Sequence, residues 1–159
     1  MVSKPKAVNG RNTPMMTHLR RSVMALPILA IAASTPGFAA NPSGVWSMAN
    51  GKVTVKLSNC GSNLCARIID LAEPISKIDG KPKIDRENPD PAKRKRPLIG
   101  LSILIGMKPA GQGKWQGAIY NPDDGKVYSG TLRHSGDSIK LKGCVAGIFC
   151  RTNTFVKAN

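Results

Sequence analysis

The sequence predicts an all-β protein: a small antiparallel up-and-down barrel of about eight strands with one long proline-rich loop. Three observations support this prediction. Short segments alternate apolar and polar residues with the period of a strand. Turn-forming residues separate these segments at intervals of roughly eight to twelve positions. No segment shows a convincing helical period. A meander of this kind commonly closes into a barrel, which removes its unpaired edges.

The first three strands lie before residue 72. Residues 45–46 belong to the first, and Asn50-Gly51 is a strong hairpin turn that leads into the second. Residues 53–57 alternate apolar and polar side chains, so the three apolar ones share a face. Residues 66–71 follow the short segment between Cys60 and Cys65 and form the third strand.

The remaining strands follow a long interruption. The chain segments predicted as strands are 98–105, 115–120, 127–133, 139–142 and 149–156. Turn residues at 121–125 and 135–137 join neighbouring strands.

Residues 72–97 break the regular spacing of the strands. They contain five prolines and much of the charge of the chain, including the run Lys-Arg-Lys-Arg at 93–96. A loop of this length in a small domain is usually functional or disordered.

The N-terminal 39 residues have the three parts of a secretory signal. A basic stretch ends at Arg20-Arg21, an uncharged apolar run covers residues 23–33, and Gly37-Phe38-Ala39 places small residues before a cleavage site. The mature protein is therefore expected to begin at Ala40, with Met1, Met15 and Met16 as alternative translation starts. The competing interpretation is an uncleaved anchor, but the apolar run is shorter than the roughly 20 residues that span a bilayer.

Residues 40–159 form a single predicted domain with a strongly basic balance. The chain has 24 Lys and Arg and 9 Asp and Glu, and five of the basic residues precede residue 40, which leaves 19 against 9 and a net charge of +10. An exported protein of this charge favours anionic partners such as lipid head groups or acidic polymers. The sequence predicts no nucleic-acid partner and no stable membrane span after signal cleavage, and it leaves the oligomeric state open.

Four cysteines, Cys60, Cys65, Cys144 and Cys150, predict two disulfides. An even number of cysteines outside the reducing cytosol favours disulfides. Three pairings are open, and the two local ones, Cys60–Cys65 and Cys144–Cys150, are the simplest. A four-cysteine zinc site is the alternative, although such sites usually space each pair more closely.

Several motifs, taken in order, resemble the exported bacterial family catalogued as domain of unknown function 2147. They are Gly44-x-Trp46, the Cys60/Cys65 pair, Asp85-x-x-Asn88-Pro89, Arg96-Pro97-Leu98-x-Gly100-Leu101, Trp115-x-Gly117, Tyr120-Asn-Pro122, Asp124-Gly125-Lys126-x-Tyr128 and Gly143-Cys144. The resemblance covers residues 40–159 and implies a lipocalin-like β-barrel, periplasmic or secreted, with no established activity. The chain departs from the family pattern at Ala66, at Ala118 and at Phe155-x-Lys157.

A ligand site is predicted where the long loop meets the mouth of the barrel. Asp85, Asn88 and Arg96 are its expected polar core, because the planar fork of arginine suits a carboxylate or phosphate. In the alternative interpretation, Asp85 and Arg96 only pair with each other and hold the loop shut. Trp115, Tyr120 and Tyr128 are the expected aromatic part of the site, although the same aromatic side chains suit core packing.

Three functions remain open at this stage. The first is a lipocalin-like binding or envelope-interaction module whose ligand is an anionic envelope component or a small molecule. The second is a structural or stress-related envelope protein without a small-molecule ligand, and the third is a hydrolase that uses loop carboxylates. No catalytic residue is assigned, since His134, beside Ser135, is the single histidine after the signal and nothing fixes a Ser/His/Asp or Cys/His trio around it. The sequence predicts no cofactor and no bound metal.

Overall fold

Eight antiparallel strands close into a barrel in the computed structural model, which describes residues 41–158 and confirms the predicted fold class. The strands are β1 (Gly44–Met48), β2 (Val53–Cys60), β3 (Asn63–Leu71), β4 (Ser102–Pro109), β5 (Lys114–Asn121), β6 (Lys126–Ser135), β7 (Ser138–Val145) and β8 (Phe149–Lys157). A single 3₁₀ turn, Pro91–Lys93, lies in the long connection between β3 and β4. The predicted signal segment, 1–39, lies outside the described residues.

Each strand pairs with its neighbour in sequence, and β1 pairs with β8 to close the barrel. At the closure, Trp46 lies opposite Lys157 and Met48 lies opposite Phe155. Closure leaves no strand of the barrel without two partners, so the backbone groups of the sheet are satisfied within it. The end of the barrel that carries the turns after β1, β3, β5 and β7 is called the mouth here.

The core fills the end of the barrel opposite the mouth. Its fully enclosed side chains include Leu64, Met107 and Leu132, none of which is more than 1% exposed. Trp46 is also buried there and its indole Nε1 donates a hydrogen bond to the Pro42 carbonyl at 2.8 Å. A buried tryptophan needs such a partner, because an unpaired N–H in the core is costly.

Two glycines on the inner face let the core pack closely. A Cβ atom at Gly117 would lie 2.9 Å from Met107 Cα, and one at Gly130 would lie 2.3 Å from Ile119 Cδ1. Both positions are therefore closed to larger residues, and the side chains of Met107 and Ile119 occupy the space that the glycines leave.

The fourth strand begins later than the sequence predicts. Residues 98–101 form a turn in which the Leu101 N–H donates to the Leu98 carbonyl at 3.0 Å, and Gly100 has a positive φ of 95°. The apolar run predicts a strand there because hydrophobicity alone does not distinguish a turn with apolar residues from a strand. The strand itself starts at Ser102, so the long connection covers residues 72–101.

Both local disulfides are present, and each cross-links the two strands of one hairpin. Cys60 is bonded to Cys65 across the β2–β3 turn, and Cys144 to Cys150 across the β7–β8 turn. The first bridge lies at the end opposite the mouth, and the second lies at the mouth. Within residues 41–158, no helix is long and apolar enough to cross a bilayer.

Candidate functional site

The long connection is folded back on itself by backbone hydrogen bonds. Ile75 forms a bridge with Pro82, and Ile84 forms one with Pro97. The Asp85 N–H donates to the Arg96 carbonyl at 3.0 Å, which joins the two ends of the segment 85–96. These pairs make the connection an ordered element of the structure, although it contains only one short 3₁₀ turn.

Asp85 is the centre of a buried hydrogen-bond network between this connection and β5. Its carboxylate is fully buried, with an exposed fraction of 0%. One oxygen, Oδ1, accepts the Tyr120 hydroxyl at 2.5 Å. The other, Oδ2, accepts the Asn88 amide and the Arg96 Nε, each at 2.8 Å, and forms an ion pair with Arg96 Nη2 at 2.8 Å. Both oxygens are therefore occupied by groups of the protein.

The other members of the network are also engaged with one another. Asn88 donates a second side-chain hydrogen bond to the Tyr120 hydroxyl at 2.9 Å. Its backbone carbonyl accepts a hydrogen bond from Arg94 Nε at 2.7 Å. The Arg96 guanidinium lies over the Tyr120 ring, 5.8 Å from the ring centre. Burial, together with the hydrogen bond to the Asp85 carboxylate, raises the pKa of Tyr120 above its ordinary value.

Tyr120 joins the network because of the alternation along β5. Ile119 points into the barrel, where its side chain contacts Gly130 and Gly143 of neighbouring strands. The next residue points to the opposite face, so the Tyr120 ring lies on the outside of β5 and the long connection covers it. The network therefore binds the connection to the barrel wall.

Gly125 gives the connection a second attachment, at the turn between β5 and β6. It is buried, has a positive φ of 68°, and packs against the backbone of Glu87 and Asn88. A Cβ atom at this position would lie 1.8 Å from the Glu87 carbonyl oxygen. Only glycine allows this turn and the connection to approach so closely.

A cavity of about 620 Å³ opens at the mouth of the barrel. Most of its wall is apolar and comes from inward-facing strand residues near the mouth, with Leu98 added from the long connection. The apolar lining residues are Met48, Val53, Ile68, Leu71, Leu98, Ile103, Ile119, Leu141, Val145, Phe149 and Phe155. The cavity therefore occupies the half of the barrel that the core leaves open.

Polar groups are confined to the rim and one side of the cavity. They belong to Asn50, Lys52, Tyr120, Asn121, Asp123, Asp124, Tyr128, Arg151 and Asn153. The Tyr128 hydroxyl donates a hydrogen bond to Asp124. Among the described residues, no hydrogen bond or ion pair engages the side chains of Arg151 and Asn153, which leaves both able to bind a ligand.

The pKa values of Tyr128 and Asp124 are both shifted from their ordinary values. Burial acts to raise the pKa of Asp124, but the hydrogen bonds from Tyr128 and from the Lys126 N–H outweigh it and leave this pKa below its usual value. The hydrogen bond to Asp124, followed by burial, raises the pKa of Tyr128. At neutral pH the pair is thus a carboxylate bound to a neutral phenol.

The structure brings four of the six predicted site residues together in one network, and one of these, Tyr120, also lines the cavity with Tyr128. Asp85, Asn88, Arg96 and Tyr120 form the network under the long connection, and Tyr128 lies in the cavity wall. Trp115 lies near the other end of β5, where it packs against the core and is absent from the cavity lining.

Side chains of β8 line the cavity, which was not predicted from the sequence. Phe149, Arg151, Asn153 and Phe155 all line the cavity at alternate positions of one strand. The signal was present, because strand alternation places residues of the same parity on one face, and the aromatic Phe149 and Phe155 have the same parity within the predicted strand 149–156.

A second, smaller cavity of about 390 Å³ lies at the opposite end of the barrel. Trp46 and His134 form its aromatic wall, with their rings at 5.5 Å and nearly perpendicular. The described residues contain no group of three or more His, Cys, Asp or Glu side chains that could hold a metal ion.

Comparison with known proteins supports the family and the fold. A family model described as "Uncharacterized protein conserved in bacteria (DUF2147)" matches residues 44–157. Protein HP1028 from Helicobacter pylori, described as belonging to the lipocalin family, superimposes with a TM-score of 0.63 at 20% identity over 75% of this chain and 84% of that one. No curated protein sequence matches the chain significantly. The sequence resemblance and the lipocalin-like fold are thus confirmed.

Proposed function

The chain belongs to the DUF2147 family of uncharacterized bacterial proteins, and we propose that it is an exported binding module for a small amphipathic ligand. The apolar body of the ligand would lie inside the barrel and its anionic group at the mouth. The observation that carries this proposal is the cavity of about 620 Å³ with apolar walls and a polar rim.

The size and the wall chemistry of the cavity favour a small molecule. Ligand sites of proteins typically measure about 300–1,000 Å³ and combine apolar walls with a few oriented polar groups. Removing apolar ligand surface from water would supply most of the binding free energy, at roughly 25 cal/mol per Å². A filled barrel would have favoured a structural protein without a ligand, but here only the end opposite the mouth is filled.

Arg151 and Asn153 favour an anionic group on the ligand. Neither side chain is engaged by the protein, and both face the cavity together with Lys52. A guanidinium binds carboxylate or phosphate through two parallel hydrogen bonds. Asp123 and Asp124 also line the cavity and oppose this preference, and the Asp124 carboxylate is bound by Tyr128 and the Lys126 N–H.

The Asp85 network is assigned a positioning role in this proposal. Asp85 and Asn88 are buried and their polar atoms are used within the protein, so they would hold the long connection, and with it Leu98, at the cavity mouth. Direct contact of Asp85, Asn88 and Arg96 with the ligand stays a prediction. Hydrolysis by loop carboxylates has less support, because Asp85 is buried outside the cavity lining.

Export is part of the same proposal. Two disulfides in a bacterial protein point to a compartment outside the reducing cytosol. Together with the predicted signal at 1–39, they support a periplasmic or secreted location. The intact mass of the protein recovered after export tests this, and a mature form that begins at Ala40 is expected.

The binding proposal is tested by filling the cavity. A Cβ atom at Gly143 would lie 3.6 Å from both Ile119 Cδ1 and Tyr128 Cβ, which is ordinary contact. Gly143→Leu should therefore fold normally while its longer side chain occupies the cavity. Titration with a fluorescent long-chain carboxylate should show binding to the parent and a loss of about tenfold or more in this variant, as expected when an apolar site is blocked.

Ser129→Leu is the matched control, because it adds the same side chain to the exposed outer face of the adjacent strand. It should bind the probe like the parent. Arg151→Gln should weaken the carboxylate more than the corresponding alcohol. Equal binding by parent and Gly143→Leu would contradict the proposal, and native mass spectrometry of protein purified from its own host would identify any ligand that it carries.

A further inference from the structure

The turn between β7 and β8 carries an exposed apolar tip. Ile148 and Phe149 are 77% and 76% exposed, and Val145 next to them is 46% exposed. Scattered apolar side chains on a surface are common, but a contiguous group on one protruding turn marks an interaction site. The tip is defined here as residues 145–149.

The fold prevents this tip from burying its own apolar side chains. Ala146 and Gly147 both have positive φ, 48° and 73°, which gives the tight two-residue turn of a β-hairpin. The Cys144–Cys150 bridge closes the base of the tip directly beneath the Val145–Phe149 pair. The turn and the bridge therefore hold the apolar side chains out in solvent.

Along the chain, the charged residues nearest the tip are positive, while Asp123 and Asp124 lie at the same mouth on the β5–β6 turn. No charged residue lies between Val145 and Cys150, and the first ones beyond them are Lys142 and Arg151. At a rise of roughly 3.3 Å per residue, these cations lie about 7–10 Å behind the apolar side chains. That spacing matches a lipid bilayer, where apolar groups that insert about 5–10 Å leave flanking cations at the level of the phosphates.

We propose that the tip docks the mouth of the barrel onto the surface of an anionic lipid bilayer. Ile148 and Phe149 would insert between the acyl chains, and Lys142 would bind a lipid phosphate. The net charge of +10 on residues 40–159 favours the same surface at longer range.

This inference goes beyond ligand binding and does not depend on it. Phe149 nevertheless lines the cavity as well as the tip, so docking would turn the cavity mouth toward the membrane. An amphipathic ligand would then reach the cavity from the lipid phase without crossing water. Gly143→Leu separates the two proposals, because it blocks the cavity and leaves the tip unchanged.

Vesicle sedimentation tests the docking surface. The protein is recovered after export and its N-terminus is verified by intact mass, so that all variants share the same start. The parent should partition onto vesicles of phosphatidylethanolamine and phosphatidylglycerol. Ile148→Ser/Phe149→Ser should lower the partition coefficient by about tenfold or more through lost apolar burial. Lys142→Gln, which leaves the cavity lining unchanged, should lower it by about fivefold and weaken the preference for the anionic lipid.

Ile105→Ser/Val156→Ser is the matched control, because it removes two exposed apolar side chains away from the mouth. It should bind vesicles like the parent. Phe149→Trp adds a direct readout, since its fluorescence should shift to the blue on vesicles. Absence of vesicle binding by the parent, equal loss in the control variant, or self-association through the tip in place of vesicle binding would overturn the proposal.

Discussion

Asp85 is the residue on which the attachment of the long connection most depends. Its two oxygens accept hydrogen bonds from Tyr120, Asn88 and Arg96, and the carboxylate has no exposure to water. Replacing an acceptor at such a position leaves its donors buried and unsatisfied, which costs more than the hydrogen bond itself contributes.

Asp85→Asn is therefore expected to lower the free energy of unfolding by about 2 kcal/mol. The amide has one acceptor oxygen in place of two, so either the Tyr120 hydroxyl or the Asn88 and Arg96 donors lose their acceptor, and the charge that balances Arg96 is lost. Urea unfolding measures the effect. Asp79→Asn is the matched control in the same connection, because the Asp79–Arg86 ion pair is largely exposed and should contribute less than about 1 kcal/mol. Equal effects of the two variants would contradict the central role of Asp85.

Tyr120 makes the stability sensitive to alkaline pH. Its pKa is raised in the folded protein by burial and by the Asp85 carboxylate. The resulting stabilisation is complete below the unfolded pKa of about 10 and is lost as the pH rises through the higher folded value. Urea unfolding over a pH series should therefore show an alkaline loss of stability that Tyr120→Phe reduces. Parallel pH profiles of parent and variant would show that Tyr120 does not titrate with unfolding.

At the level of elements, the turn between β5 and β6 and the long connection support each other through Gly125. The contact is between backbones, so no side chain can move aside to admit a Cβ atom.

Gly125→Ala is expected to release the long connection from the barrel. Gly136→Ala is the matched control: Gly136 also has a positive φ, 55°, but nothing lies within 4 Å of its Cβ position. Both variants carry the backbone strain of about 1 kcal/mol, and only Gly125→Ala also breaks the contact with Glu87. Limited trypsin digestion at the basic run 93–96 measures the release. Equal cleavage rates in the two variants would show that the contact does not hold the connection.

The backbone of the β7–β8 turn is strained at Ala146, and a substitution there can relieve the strain. Ala146 is the only non-glycine residue with positive φ in the described part of the chain. Ala146→Gly should therefore raise the free energy of unfolding by up to about 1 kcal/mol, because glycine adopts this conformation without steric cost. Gly147→Ala, at φ 73° with open space around it, should have the opposite effect. Thermal unfolding of both variants checks the two signs.

The extent to which the sequence predicted each element depends on how local its signal is. Alternation and turn residues predicted eight strands, because both depend on neighbours in sequence. The start of β4 was misplaced, since the turn at 98–101 is fixed by Ile68, far away in sequence. The Asp85–Tyr120 contact joins residues 35 positions apart, and nothing local indicates it. Arg151 and Asn153 were predictable in principle from strand parity with Phe155.

At the scale of the whole molecule, the barrel is divided into a filled half and an open half. Met107, Leu132 and Trp46 fill the end that Cys60–Cys65 staples. The cavity, the long connection and the apolar tip share the end that Cys144–Cys150 staples. The filled core and the proposed binding features thus lie at opposite ends, joined by the continuous hydrogen bonding of the closed sheet.

This division makes the two disulfides independent contributors to one unfolding transition. Each bridge closes a short loop, with sequence separations of 5 and 6, which corresponds to about 2 kcal/mol in the chain-entropy model. Replacing either pair by serine should lower the free energy of unfolding by about that amount, and replacing both should add the two losses, because the sites are distant and share no contacts.

Urea unfolding of the three variants, followed by both tryptophan fluorescence and far-UV circular dichroism, checks the additivity. Coincident transitions are expected with both probes, because β1–β8 closure makes the barrel unfold as one unit. A combined loss well below the sum would mean that the two ends are coupled in the unfolded or the folded state. Separate transitions in the variant without Cys144 and Cys150 would mean that the open half unfolds first, and the single cooperative barrel would have to be abandoned.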